Sequence, residues 1–195
     1  MDTNSYHTRF NATMLEIADQ IKKNSSVIDY KDVLNVINLI LSIHENDGII
    51  FLYGAGRSGF IGRSFAQRLM HLGIKSCFVS DAVTYQYKEN DLLILISGSG
   101  ETTSTVAIAQ KAKQIGGKII LLSNNPTSTI GKISDITISI EGKSKDIALS
   151  QESLAPYTSL FDISTLAVLD SIAGVLMNKL GVTEADIDKR HASIE

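Results

Sequence analysis

Apolar positions recur along the chain in two alternating rhythms. Phe10, Met14, Ile17, Ala18 and Ile21 fall at the three-and-four spacing of one helix face, which predicts a helix over 10–23. Residues 31–45 repeat the pattern with Val33, Leu34, Ile37, Ile40 and Leu41, and Asp47-Gly48 breaks it. Ile49 to Tyr53 is a short continuous apolar run, the mark of a strand buried on both faces. It runs into Gly54-Ala55-Gly56-Arg57-Ser58-Gly59. Phe60, Ile61, Phe65, Leu69 and Leu72 then predict a helix that starts near Ser58 and stops at Gly73. Further strands are predicted at 76–79, 92–96, 118–122 and 136–140. Helices are predicted at 103–115, 156–180 and 184–192.

Strands alternating with helices of this length imply a parallel sheet covered on both faces. With 195 residues the chain makes one domain. It divides into N-terminal helices over 1–47, an α/β core over 48–150 and C-terminal helices over 151–195. The helix over 156–180 is apolar around most of its circumference, so it must be buried. That predicts a homo-oligomer built on this helix and the first one.

Composition narrows the partners. Hydrophobic residues make up 44% and charged residues 20%, ordinary globular usage that excludes a disordered tail or a fibre. The net charge is −3 and no stretch carries a basic surplus, which argues against nucleic acid. Residues 1–10 lack the apolar core of a signal peptide. No uncharged apolar run reaches the ~18 residues of a membrane span, and the longest, Ile163–Met177, carries Asp170. The single cysteine, Cys77, cannot form an internal disulfide and fits a reducing cytoplasm. His7, His44 and His71 have no neighbours at metal-ligand spacing, so no metal site is expected.

Chemistry concentrates in two loops at strand-to-helix junctions, where parallel sheets bind ligands. Gly54-Ala55-Gly56-Arg57-Ser58-Gly59 has glycine at its first, third and sixth positions, as in a dinucleotide fingerprint, with Asp81 as the residue for a ribose. Spacing alone makes that a weak signal. Ser97-Gly98-Ser99-Gly100-Glu101-Thr102-Thr103-Ser104 sets five hydroxyls into eight residues at a helix start. Hydroxyls and exposed N–H groups suit a phosphate monoester. The Gly-Lys-Ser/Thr ending of a triphosphate loop is absent, so a small phosphorylated metabolite fits better than ATP.

These two loops resemble the SIS (sugar isomerase) domain. Together with Arg68-Leu69-Met70-His71-Leu72-Gly73, Leu154-Ala155-Pro156, Leu160-Phe161-Asp162 and the ending Arg190-His191-Ala192…Glu195, they resemble the 6-phospho-3-hexuloisomerases in particular. The likeness runs over residues 30–195. It implies a Rossmann-like three-layer α/β sandwich with a five-stranded parallel sheet and extra terminal helices. It implies a tetramer, and an intramolecular oxidoreductase of the aldose–ketose isomerase type that needs no metal or organic cofactor. Its reaction would interconvert arabino-3-hexulose 6-phosphate and fructose 6-phosphate through an enediol.

By the same resemblance, Arg57, Ser58, Ser97, Gly98, Ser99, Gly100, Glu101 and Thr102 bind the phosphosugar, and His71 and His191 assist at oxygen. His191 would act in a docked tail near a neighbouring subunit's site. Proton transfer falls to Asp162, where the family carries Glu. Pro156-Tyr157-Thr158-Ser159 also departs from the family's Pro-Leu/Met-Gly-Thr/Ser, and Tyr85 after Thr84 replaces a Pro. Two other readings stay open: a non-catalytic sugar-phosphate sensor on the same fold, and an isomerase of another phosphosugar such as a pentose 5-phosphate.

Overall fold

The computed structural model describes residues 3–142 and 153–193. Two helices, α1 (Thr3–Val27) and α2 (Tyr30–Glu45), lead into β1 (Ile50–Gly54), α3 (Arg57–His71) and β2 (Ser76–Phe78). After an irregular stretch come β3 (Leu92–Ile96), α4 (Thr103–Ile115), β4 (Lys118–Ser123), a 3-10 turn at Gly131–Ile133 and β5 (Ile136–Ser139). The chain closes with α5 (Ser159–Leu180) and the short α6 (Glu184–Asp188). The expected strands and helices are present within a few residues, except that α1 runs well beyond 10–23 and α6 ends before 192. The boundary between core and C-terminal helices at 150/151 lies outside the described residues.

The sheet has order β2-β1-β3-β4-β5 and every pairing is parallel. Direction of propagation reverses between β1 and β3, so the carboxyl ends of these two central strands flank the topological switch. Burial explains why the central strands lack an alternating polar pattern. Ile50, Leu52, Leu92, Ile94, Ile96, Ile120 and Leu122 face a core shared with α2, α3 and α5. Phe51, Leu93, Leu95, Ile119 and Leu121 point the other way, into a core with α4. The central strands β1, β3 and β4 are apolar on both faces because both faces are covered, whereas edge strand β5 alternates Ile with Thr and Ser.

Buried α5 packs on α1 and α3. By length and composition this helix is apolar enough to cross a membrane, contrary to the shorter run read from sequence. Half of it is buried against its own chain, with Leu169, Ile172, Ala173 and Leu176 nearly inaccessible. Much of its apolar circumference is therefore satisfied within one subunit. A stripe of exposed apolar side chains lies on α1, where Tyr6, Phe10, Met14 and Leu15 are each more than half exposed. Buried Asn24 fixes α1 to the sheet edge: its amide exchanges hydrogen bonds of 2.8 Å with the Glu141 carbonyl and N–H. Glu16 accepts from Ser153 Oγ and the Ala155 N–H at 2.7 Å, which ties down the approach to α5.

Asp135 holds the β4 edge. It accepts from the Ile119 N–H at 2.9 Å and from Lys118 Nζ at 3.0 Å. Burial pushes its carboxyl upward, but the Ile119 N–H and the Lys118 and Lys113 ammonium groups outweigh this and leave it below the usual range. A depressed folded value means stability that is full above the ordinary carboxylate value of about 3.9 and is lost as pH falls through the folded one. Asp135→Asn is expected to cost about 1–2 kcal/mol at pH 7 in urea unfolding. The gap between variant and native chain should narrow below about pH 4.

Candidate active site

Three helices begin at the carboxyl edge of the sheet, and their starts surround one cavity of about 610 Å³. Ala55, Arg57 and Ser58 line it from the β1–α3 junction, and Ser97, Gly98, Ser99, Glu101, Thr102 and Thr103 from the β3–α4 junction. Tyr157, Thr158, Phe161 and Asp162 close it from the start of α5, and Asn124 from the end of β4. None of the three helices has a side-chain cap on its first-turn N–H groups. Helices α2 and α6 start away from the cavity, and both are capped, by Asp29 and by a Thr183–Asp186 capping box. Uncapped starts remain where an anion can supply the missing acceptor.

Charge arithmetic supports this. The lining carries Arg57 against Glu101 and Asp162, a formal −1. Three helix starts at about +0.5 each reverse that sign. Both carboxylates are also engaged. Glu101 Oε1 accepts the Thr129 N–H at 2.7 Å. The Thr129 side chain and then its backbone hold this carboxyl below its usual range. Glu101 therefore braces the hydroxyl loop against residues 128–131, and a carboxylate cannot donate to phosphate. That differs from the substrate-contacting role expected for it.

The loop itself is tightly held. Ser97 Oγ accepts the Gly100 N–H at 3.2 Å, and Ser99 Oγ accepts the Glu101 N–H at 3.2 Å. Gly100 takes φ +66°, and a Cβ there would overlap Ser128 Oγ. In the first loop, a Cβ on Gly59 would stand 2.6 Å from the Gly54 carbonyl oxygen. Those glycines let α3 start hard against β1. Asp81 lies outside the cavity lining and pairs with Arg63 at 2.9 Å, so the dinucleotide reading loses its ribose ligand.

Asp162 is the most enclosed charged group of the lining, only 4% exposed. Its Oδ2 accepts from Arg57 Nε and from Thr158 Oγ1, each at 2.7 Å. No hydrogen bond to Oδ1 occurs among the described residues. Arg57, Ser58, Ser97–Thr102 and Asp162 thus come together, although Gly100 stands behind the wall rather than on it.

His71 and His191 do not join them. His71 sits at the far end of α3 from Arg57, about 20 Å away at ~1.5 Å per residue. Its ring stacks near that of His191, with centroids 4.3 Å apart, and Arg190 Nη1 donates to the His71 carbonyl at 2.8 Å. Within one chain neither histidine lines the cavity, and the role expected of His191 belongs to a neighbouring subunit's site. The tail packs on the end of its own α3 through these contacts. Thr84 and Tyr85 lie away from the cavity and line a small apolar hollow with Phe51 and Tyr87. Tyr157, Thr158, Thr103 and Asn124 went unassigned in the sequence. Asn124-Asn125-Pro126 ends a third parallel strand, and that position is the signal that marks it.

A parallel sheet with an uncapped, hydroxyl-lined cavity at its carboxyl edge defines a phosphosugar-handling domain of the SIS class, and residues 43–167 match the SIS domain family. A 3-hexulose-6-phosphate isomerase of Bacillus subtilis strain 168 is 37% identical, over 92% of this chain and 96% of its own length. One from Methanocaldococcus jannaschii is 41% identical over 74% of this chain and 76% of its own. A crystal structure of a Methanococcus jannaschii protein, inferred to be a 3-hexulose-6-phosphate isomerase, superposes with a TM-score of 0.78 at 36% identity, covering 95% of this chain and 98% of that one. The chain belongs to the SIS-domain phosphosugar isomerases, within the group that holds the 3-hexulose-6-phosphate isomerases.

Gly100→Ala places a side chain in left-handed backbone and against Ser128. It should cost about 2–4 kcal/mol in chemical denaturation and weaken inorganic phosphate binding by calorimetry.

Proposed function

We propose that this isomerase interconverts arabino-3-hexulose 6-phosphate and fructose 6-phosphate, with Asp162 as the base. The observation that carries this is the enclosed Asp162 carboxylate on the wall of a cavity bordered by three uncapped helix starts. The phosphate sits on the hydroxyl loop and the start of α4, with Ser97, Ser99 and Thr102 as side-chain partners. The carbon chain extends toward Asp162. The carboxylate removes the proton from the carbon beside the carbonyl, and that C–H electron pair forms the double bond of a 2,3-enediolate. Transfer of the hydroxyl proton from O2 to O3 and return of the carbon-bound proton to C3 move the carbonyl from C3 to C2. Electrons stay within the substrate, so no redox cofactor is needed. Arg57, beside Asp162, stabilises the enediolate oxygen, and preorganised charge of this kind supplies much of the rate in such reactions.

Asp162 is one methylene shorter than the glutamate of the family pattern. General base catalysis needs heavy-atom reach of ~2.6–3.2 Å in the substrate complex. The curated relatives carrying the hexulose name support the substrate, as does the match over nearly the whole chain. We further infer a homo-oligomer, a tetramer by resemblance, that covers the Tyr6, Phe10 and Met14 stripe of α1. A reducing cytoplasm suits the single cysteine.

Turnover is tested with arabino-3-hexulose 6-phosphate made in situ and fructose 6-phosphate followed by a coupled assay. Native protein should turn over, and Asp162→Asn should lower kcat by about a hundredfold or more while still binding fructose 6-phosphate. Binding without turnover by the native chain would overturn the reading in favour of a sensor. Turnover confined to a pentose 5-phosphate would replace the substrate.

A further inference from the structure

Thr158 adopts φ 65°, ψ −10°, left-handed backbone that a β-branched residue rarely occupies because its Cβ crowds the following carbonyl. Among the described residues, Asp47 is the other non-glycine residue with positive φ, in the open turn after α2. A short polar aspartate tolerates that conformation; threonine does so poorly. Strain of this type persists where surrounding structure enforces it, and it clusters at functional sites. Here the enforcement is visible on both sides. Glu16 anchors Ser153 and Ala155 ahead of the turn, and the Ser159 N–H donates to the Pro156 carbonyl at 3.0 Å. Gly142 packs so closely on the first turn of α5 that a Cβ there would lie 2.7 Å from the Phe161 backbone.

The strained residue contacts Asp162 twice. Its carbonyl accepts the Asp162 N–H at 2.9 Å, and its hydroxyl donates to Oδ2 at 2.7 Å. Arg57 reaches the same oxygen from α3, also at 2.7 Å. A carboxylate oxygen offers two lone pairs, and two donors from two different elements occupy them on Oδ2. They fix the plane of the carboxylate, which a single donor would leave free to swing. Oδ1 is left as the oxygen open to a proton.

We propose that Thr158 is a positioning residue for the proton transfer, and that its hydroxyl, with Arg57, holds Oδ2 so that Oδ1 takes the substrate proton. The inference rests on Asp162 being the base. The substrate C–H bond breaks, its electron pair enters the enediolate double bond, and an O–H bond forms on Oδ1. That O–H bond then breaks to return the proton to the neighbouring carbon, while the hydroxyl proton of the enediol passes from O2 to O3.

The test compares Thr158→Val, which keeps the shape and deletes the hydroxyl, with Thr158→Ser, which keeps the hydroxyl. Thr158→Gly serves as a second hydroxyl-free variant, because glycine accepts the left-handed backbone without strain. Val and Gly are expected to lower kcat about ten- to hundredfold, the scale of a misplacement near 1 Å, with KM changed less than about twofold. Ser should restore kcat to within about threefold. In an Asp162→Asn background, Thr158→Val should add no further loss, because both changes act on one group. Equal loss in Ser and Val, or a loss that adds to Asp162→Asn, would show that Thr158 merely supports the fold. Wild-type kcat in both Val and Gly, with Asp162→Asn inactive, overturns the positioning role alone. An active Asp162→Asn overturns the base assignment and this inference with it.

Discussion

Parallel strands of this sheet end along one edge, and the helices that follow them start there without side-chain caps. That constraint organises the rest of the molecule. A capping side chain is worth about 0.5–2 kcal/mol, and two helices elsewhere in the chain have one. Three helices at the carboxyl edge forgo it. The sheet compensates by rigidity: its three central strands are buried on both faces, in two separate apolar cores. A frame this firm can hold three electropositive helix ends around one space, an arrangement that would otherwise relax by tilting or local capping.

Into that field the fold brings an enclosed carboxylate. Arg57 belongs to the β1–α3 junction and Asp162 to the first turn of α5, 105 residues apart in sequence. Their 2.7 Å contact joins the two halves of the cavity wall. Arg57 remains largely exposed on its side chain while Asp162 is covered. The guanidinium can therefore stay bonded through Nε and still offer its outer nitrogens to a ligand. A shorter acid in place of glutamate makes sense in this setting only if its surroundings aim it, and the strained turn at Thr158 gives it a second donor.

Much of this was legible in the chain itself. The two-sided apolar strands announced a covered parallel sheet, and Asp47-Gly48, Gly73 and Gly116-Gly117 mark where helices stop. The hydroxyl-rich 97–104 segment pointed to phosphate because its residue types carry the chemistry directly. Other features depend on packing that no local pattern records. Glu101 reads as a ligand in sequence because it sits inside the loop, but its carboxylate turns to Thr129. His71 is a different case, because the helix predicted from Ser58 to Gly73 already sets it at the far end from Arg57. The apolar girth of α5 suggested a subunit contact, yet α1 and α3 of the same chain take up much of it. Thr158 showed only as an altered motif. It stands where the family pattern has glycine, the one local sign of its left-handed backbone.

The most direct test of the central claim is a crystal structure with fructose 6-phosphate bound. The account places the phosphate within about 3.2 Å of backbone N–H groups at the start of α4 and of the Ser97 and Ser99 hydroxyls, with C2 and C3 of the sugar facing Asp162 Oδ1. A phosphate seated away from these helix starts, or a sugar whose C2 and C3 lie beyond reach of Asp162, would contradict it.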